Sequence, residues 1–159
     1  MSDHQITKSN LDASTPIIRR ATLADFNALL SLYSELTGGL PVLDGDPGLQ
    51  KLKEILEHKG THIFGAEVSG RLVSVATIHI CPNLTFGGRS YARIENVVTL
   101  SLYRGRGLSR RVMEHAIQAA KQEDVVSIIL LTGKGLEARG FYERCGFNAE
   151  DKWGMILKL

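Results

Sequence analysis

The stretch Tyr103-Arg104-Gly105-Arg106-Gly107-Leu108-Ser109 places arginines, glycines and a serine between a β-branched run, Ile94 to Thr99, and an amphipathic helical pattern. A strand, a glycine-bearing turn and a helix start make an anion cradle. The first helical N–H groups have no intrahelical partner and the helix dipole adds positive charge there, so a phosphate can dock on backbone, with Gly105 and Gly107 leaving room for it. Two phosphate motifs are excluded by spacing. A dinucleotide fingerprint needs glycine or alanine three residues after Gly107, where Arg110 stands, and the Gly133-Lys134 pair is followed by Gly135, not by the serine or threonine of a Walker A loop.

The elements that position this turn follow from periodicity. Ile17-Ile18-Arg19-Arg20 reads as a short strand, and Thr22 with Asp25 as a helix start. Phe26, Leu29, Leu30, Tyr33 and Leu36 form the stripe of that helix, and Gly38-Gly39 stops it. A second helix is expected from Pro47, capped by Asp46, with Leu49, Leu52, Ile55 and Leu56 inward and an end near Gly60. His62 to Val68 and Leu72 to Ile80 flank Ser69-Gly70 and predict an antiparallel hairpin. A strand Tyr91 to Thr99 leads into the motif turn and a helix from Leu108 to about Gln122, with Leu108, Val112, Ala116 and Ala119 inward. Val126 to Leu131 reads as a buried strand, Leu136 to Cys145 as a helix and Trp153 to Leu159 as a last strand. This order predicts an α/β sheet covered on both faces.

Composition narrows the ligand and the setting. The chain has 159 residues, 43% of them hydrophobic, and a net charge of +2. Residues 17–159 are expected to form a single domain, and residues 1–16 a disordered polar tail without the apolar core of a signal peptide. A cytoplasmic location is expected. Basic residues concentrate only at Arg104, Arg106, Arg110 and Arg111, which suits a polyphosphate better than a nucleic acid. Cys81 and Cys145 have no metal or redox spacing, so no metal is expected.

The turn Arg104 to Ser109 resembles the acyl-CoA signature of the GCN5-related N-acetyltransferases, Gln/Arg-x-x-Gly-x-Gly/Ala. Arg104 and Gly107 match and Ser109 departs. A second signature of that family, a short helix ending in an aromatic pair and Gly-Phe, is similar to Ala138-Arg139-Gly140-Phe141-Tyr142-Glu143-Arg144-Cys145-Gly146-Phe147. The resemblance implies a mixed, mostly antiparallel twisted sheet flanked by helices, and acetyl-CoA as co-substrate without a metal. It implies that Val97, Val98 and Thr99 offer backbone groups to the pantetheine arm, and that Arg104, Gly105, Arg106, Gly107, Leu108 and Ser109 surround the phosphates. Ser109 is small enough for close approach, and its hydroxyl could itself reach a phosphate.

Two candidate catalytic residues come from the same resemblance. Tyr142 stands where relatives carry a tyrosine that protonates the CoA sulfur; packing beside Phe141 is its alternative role. Glu95 is the candidate general base toward the incoming amine, on the face of Val97 if no bulge intervenes, and an Arg93–Glu95 surface pair is the alternative. His79 on the neighbouring strand is the reserve base. Cys145 reads as core, and Gly135 stands where relatives often place an asparagine toward pantetheine. The implied activity is acetyl transfer from CoA directly to a primary amine of a small molecule or peptide. A non-catalytic acyl-CoA-binding sensor is the alternative. The implied partners are acetyl-CoA and the amine acceptor, with a homodimer as the candidate assembly, and neither nucleic acid nor membrane.

Overall fold

The computed structural model describes residues 15–134 and 136–159, so the expected tail falls almost wholly outside the described residues, as does Gly135. Strands β1 (Ile17–Arg20), β2 (Thr61–Val68), β3 (Arg71–Cys81), β4 (Tyr91–Thr99) and β5 (Ile128–Leu130) lie side by side in chain order. The first four are antiparallel and β5 runs parallel to β4. A parallel neighbour requires a crossover, and helix α3 (Leu108–Gln122) provides it.

Helices cover both faces. Leu108, Val112, Met113, Ala116 and Ala120 of α3 pack on Phe64, Ala76, Ile78 and Ile94, and Phe141, Tyr142 and Cys145 of the α4 (Leu136–Arg144) region join this core. On the other face Leu29 and Leu32 of α1 (Phe26–Leu36) and Leu52 of α2 (Gly45–Glu57) pack on Ile63, Leu72, Val75 and Val98. The mixed α/β architecture expected from the sequence is the one found.

Several boundaries and faces differ. A 3-10 turn, Leu23–Asp25, precedes α1, and Asp25 serves there as an anchor: its carboxylate accepts Thr22 N–H at 2.8 Å and the Nη1 and Nη2 donors of Arg19 at 2.8 Å each. Leu32 is fully buried, whereas Leu36 is 41% exposed, because the helix ends where the sheet no longer covers it. Helix α2 starts at Gly45 with Asp44 in the cap position, two residues earlier than the proline suggested. Gly48 is then the buried contact: a Cβ there would stand 2.4 Å from Leu43 O and 2.8 Å from the Phe26 ring, and Leu49 turns outward.

Two differences concern strands. Residues 153–159 form no strand, and Trp153 and Met155 are more than nine-tenths exposed. Strand propensity alone does not make a ladder, which needs a partner edge, and β5 offers only Ile128–Leu130. In β4 the register slips between Val75↔Val98 and Thr77↔Glu95, so one extra residue sits in β4, where Asn96 has a φ of +53°. This β-bulge reverses the alternation beyond it. Ile94 and Val97 therefore face α3 while Val98 faces α1, and Glu95, paired across from Thr77, is on the face opposite Val97 rather than beside it.

Candidate active site

The β-strand ladder is two-sided for only part of β4. Strand β5 pairs with Ala92, Arg93 and Ile94, and β3 alone continues along the strand to Thr99. Beyond the bulge, the edge of Val97–Thr99 that faces away from β3 has no strand partner among the described residues. An extended ligand pairs with an edge of this kind in the manner of an added strand, and at its end Thr99 O already accepts from Arg104 Nε at 3.0 Å.

The turn that follows opens beside this edge. Gly105 and Gly107 have φ of +75° and +72°, and a Cβ built on either would have no atom within 4 Å. Left-handed backbone favours glycine, and here the space next to it is open as well. Gly107 is the N-cap of α3, so the free N–H groups of that helix start at this turn. A cavity of about 390 Å³ lies there, lined on one side by Thr99, Tyr103, Arg104, Gly105, Gly107, Leu108, Ser109 and Arg110, and on the other by Phe141, Arg144 and Cys145.

The structure thus brings most of the expected cradle residues to one cavity, with differences in their roles. Arg104 turns back, donating from Nε to Thr99 O at 3.0 Å, with Glu35 3.7 Å from its other end. Arg106 lies over the Tyr103 ring, 5.3 Å from its centroid, outside the cavity lining. The Ser109 hydroxyl is engaged with Thr99 Oγ1, which also meets Ser74 Oγ at 2.7 Å, so it joins a hydroxyl chain inside the fold. Val97 and Val98 contribute side chains to the two cores and are not in the cavity wall.

Sequence reasoning missed Glu35, Arg144 and the lining role of Cys145. Glu35, near the end of α1, accepts the Ser101 N–H with both oxygens at 2.9 and 3.0 Å, pinning the chain between β4 and the turn. No local pattern announces this, since the two residues are far apart in sequence. Arg144 and Cys145 had a signal, the helical face shared with Phe141. Burial pushes the Cys145 thiol up, which keeps it protonated and argues for packing.

Tyr142 packs edge-on against Phe141 and Phe147, with centroids 5.1 and 6.2 Å away, and is not among the residues lining the cavity. Burial raises its phenol above the ordinary range, with the neighbouring Cys145 adding to the shift. It therefore holds its proton through neutral pH.

On the α1 side of the sheet stand Glu95, the candidate base, and its neighbours. Glu95 Oε1 lies 3.0 Å from His79 Nε2, and Arg93 stands 3.1 Å from Oε2, so the expected surface pair exists together with a histidine contact. Tyr33 of α1 faces the same region. Its phenol is raised chiefly by burial, with the Glu95 charge adding and nearby Thr77 opposing. Among the described residues no hydrogen bond of normal geometry reaches the buried Thr77 Oγ1, which stands on β3 across from Glu95. Among the described residues no cluster of histidine, cysteine and carboxylate groups could hold a metal ion.

A sheet edge that β5 leaves unpaired, left-handed glycines beside open space and a cavity lined by Arg104, Arg110 and Arg144 fit a ligand that carries a pyrophosphate on one end of an extended arm. This fold and site define a coenzyme A-dependent acyltransferase. The chain matches the Acetyltransferase (GNAT) family over residues 29–147 and belongs to it; it is an acetyl-CoA-dependent N-acetyltransferase. Among curated proteins it is 28% identical over 131 residues to glucosamine 6-phosphate N-acetyltransferase of Trypanosoma brucei brucei, covering 81% of this chain and 86% of the relative. The corresponding enzyme of Arabidopsis thaliana is 26% identical, with 86% and 92% covered. A solved chain from Agrobacterium tumefaciens str. C58 superposes with a TM-score of 0.86 at 39% identity, covering 90% of this chain and 99% of that one.

Proposed function

We propose that this enzyme moves the acetyl group directly to the primary amine of a phosphorylated amino sugar, with Glu95 as general base and Tyr142 as general acid. The bulge at Asn96 carries this reading. It sets Glu95 on one face of β4 at the point where the strand leaves β5, next to the free edge of Val97, Val98 and Thr99. Acetyl-CoA supplies an activated thioester when bound. The chain supplies the backbone edge of Val97–Thr99 for the pantetheine arm and the turn Arg104, Gly105, Arg106, Gly107, Leu108 and Ser109 for the phosphates. Glu95 takes a proton from the incoming ammonium, and the raised phenol of Tyr142 keeps a proton for the departing thiolate.

The two curated relatives act on glucosamine 6-phosphate, as their names state, and this supports the sugar-phosphate acceptor. We read residues 17–159 as one catalytic domain of a cytoplasmic protein; no described helix is long and apolar enough to cross a membrane. The exposed apolar side chains of residues 153–159 support assembly as a homodimer, which sedimentation would test.

The deciding experiment is CoA release measured across glucosamine 6-phosphate, glucosamine, a polyamine and a peptide amine. Glucosamine 6-phosphate is expected to give the highest kcat/KM. Preference for the polyamine or peptide by tenfold or more would overturn the acceptor while leaving the enzyme class intact.

A further inference from the structure

Glu95 ends a chain of hydrogen-bonded side chains that no local motif announces. His79 Nε2 lies 3.0 Å from its Oε1, His79 Nδ1 lies 2.9 Å from Thr61 Oγ1, and the same hydroxyl lies 2.9 Å from His58 Nδ1. The four residues come from the end of α2, from β2, from β3 and from β4.

The chemistry of these groups orients the protons. An ionised carboxylate only accepts, a neutral imidazole donates at one nitrogen and accepts at the other, and a hydroxyl has a single hydrogen. With Glu95 charged, His79 Nε2 donates to it, and in the neutral ring Nδ1 is then the bare nitrogen. The Thr61 hydroxyl then donates to Nδ1, and its lone pair accepts from His58 Nδ1–H. The opposite polarity would leave a bare ring nitrogen facing a carboxylate.

We propose that His79 is a positioning residue for Glu95, locked in the Nε2–H tautomer by Thr61 and His58. The inference rests on the reading of Glu95 as base and deepens it. Thr61 is 5% exposed, so its hydroxyl has little water to turn to. The turn carrying His58 and Thr61 is closed by Thr61 N donating to His58 O at 3.1 Å and fastened to the strand of His79 by Ile80 N donating to Gly60 O at 2.7 Å. Gly60, at a φ of +81°, comes so near β3 that a Cβ would stand 2.7 Å from Ile80 O.

Arg93, the other partner of Glu95, has a side chain 51% exposed, and a solvated ion pair holds geometry weakly. The His79 ring is held at both nitrogens, which leaves it no lone pair for an amine. That separates positioning from the reserve-base role.

The test begins with the tautomer, read from long-range ¹H–¹⁵N spectra of the full-length protein at neutral pH. Expected is a neutral His79 with hydrogen on Nε2. Thr61→Val should mix the tautomers, lower kcat about tenfold through a misheld base, and leave the KM for acetyl-CoA within about twofold. Thr61→Ser should restore both spectrum and kcat. His58→Ala, at an exposed position, should weaken the tautomer preference without unfolding risk. An Nδ1–H tautomer, a protonated ring, or a Thr61→Val protein with parental tautomer and kcat would overturn the proposal. A parent that shows the Nε2–H tautomer beside a Glu95→Gln variant with parental kcat would overturn the base reading of Glu95 instead.

Discussion

The two halves of the proposed site are built in opposite ways. The cradle from Arg104 to Ser109 is contiguous: one turn between β4 and α3 supplies the glycines, the helix start and the cationic field. The Glu95 cluster is assembled from α1, the end of α2, β2, β3 and β4, and each member reaches it by strand pairing or helix packing. A contiguous site depends on backbone shape, so it is sensitive to side chains that fill space. An assembled site depends on hydrogen bonds between elements, so it is sensitive to the loss of single polar atoms.

The largest expected effect removes the assembled half at its reacting atom. Glu95→Gln should lower turnover at neutral pH by about a hundredfold or more, with acetyl-CoA affinity kept and part of the loss recovered at alkaline pH where more amine is already neutral. A full pH–rate profile parallel to the parent's would detach Glu95 from the chemistry.

Gly107→Val strikes the contiguous half by shape. The side chain would enter the open space beside the turn and force a β-branched residue to a φ of +72°. Calorimetry should show acetyl-CoA affinity reduced by about a hundredfold, and undiminished binding in a folded variant would move the phosphates elsewhere. Arg104→Ala should do less, since its guanidinium is spent on Thr99 O and Glu35.

Tyr142→Phe asks whether the two halves cooperate. Packing against Phe141 and Phe147 survives, so fold and CoA affinity should hold, while turnover falls by about tenfold or more through loss of a placed proton. Because the phenol is raised, the parent should retain this contribution through neutral pH and lose it only above the ordinary tyrosine range near 10. Parental turnover in the variant would make Tyr142 a packing residue.

The smallest effect tests the frame. Hydrogen bonds from Arg19 hold the Asp25 carboxyl below its usual range, so this group adds stability above about pH 4 and loses it as pH falls through the lower folded value. Asp25→Asn should cost about 2 kcal/mol in denaturant unfolding near neutral pH, with the gap to the parent closing in acid. A constant gap down to strongly acid pH would mean that the carboxylate charge is not what stabilises the strand-helix joint.

How much was legible in the sequence tracks the same contrast. Strand β4 and helix α3 occupy the spans predicted from the sequence: α3 buries one regular face, and β4 is a β-branched run packed between helices on both sides of the sheet. The cradle was legible for a related reason: glycine spacing reports backbone angles directly, and Gly105 and Gly107 adopt the left-handed angles that their positions demand. Ser109, expected at the phosphate turn, lies in the first turn of α3, and the partner of its hydroxyl, Thr99, emerged only when the end of β4 was folded against α3.

What the chain determined by itself is the turn, the order of elements and the mixed sheet, all of which follow from local angles and side-chain periods. Only tertiary structure decided the bulge at Asn96, since an extra residue in β4 is defined by the register of β3 beside it. With the bulge came the face on which Glu95 stands and the partners that hold it. The chain end shows the converse: Trp153 to Leu159 has the composition of a strand, but in these described residues no edge pairs with it, and hydrogen-bond ladders exist only between partners.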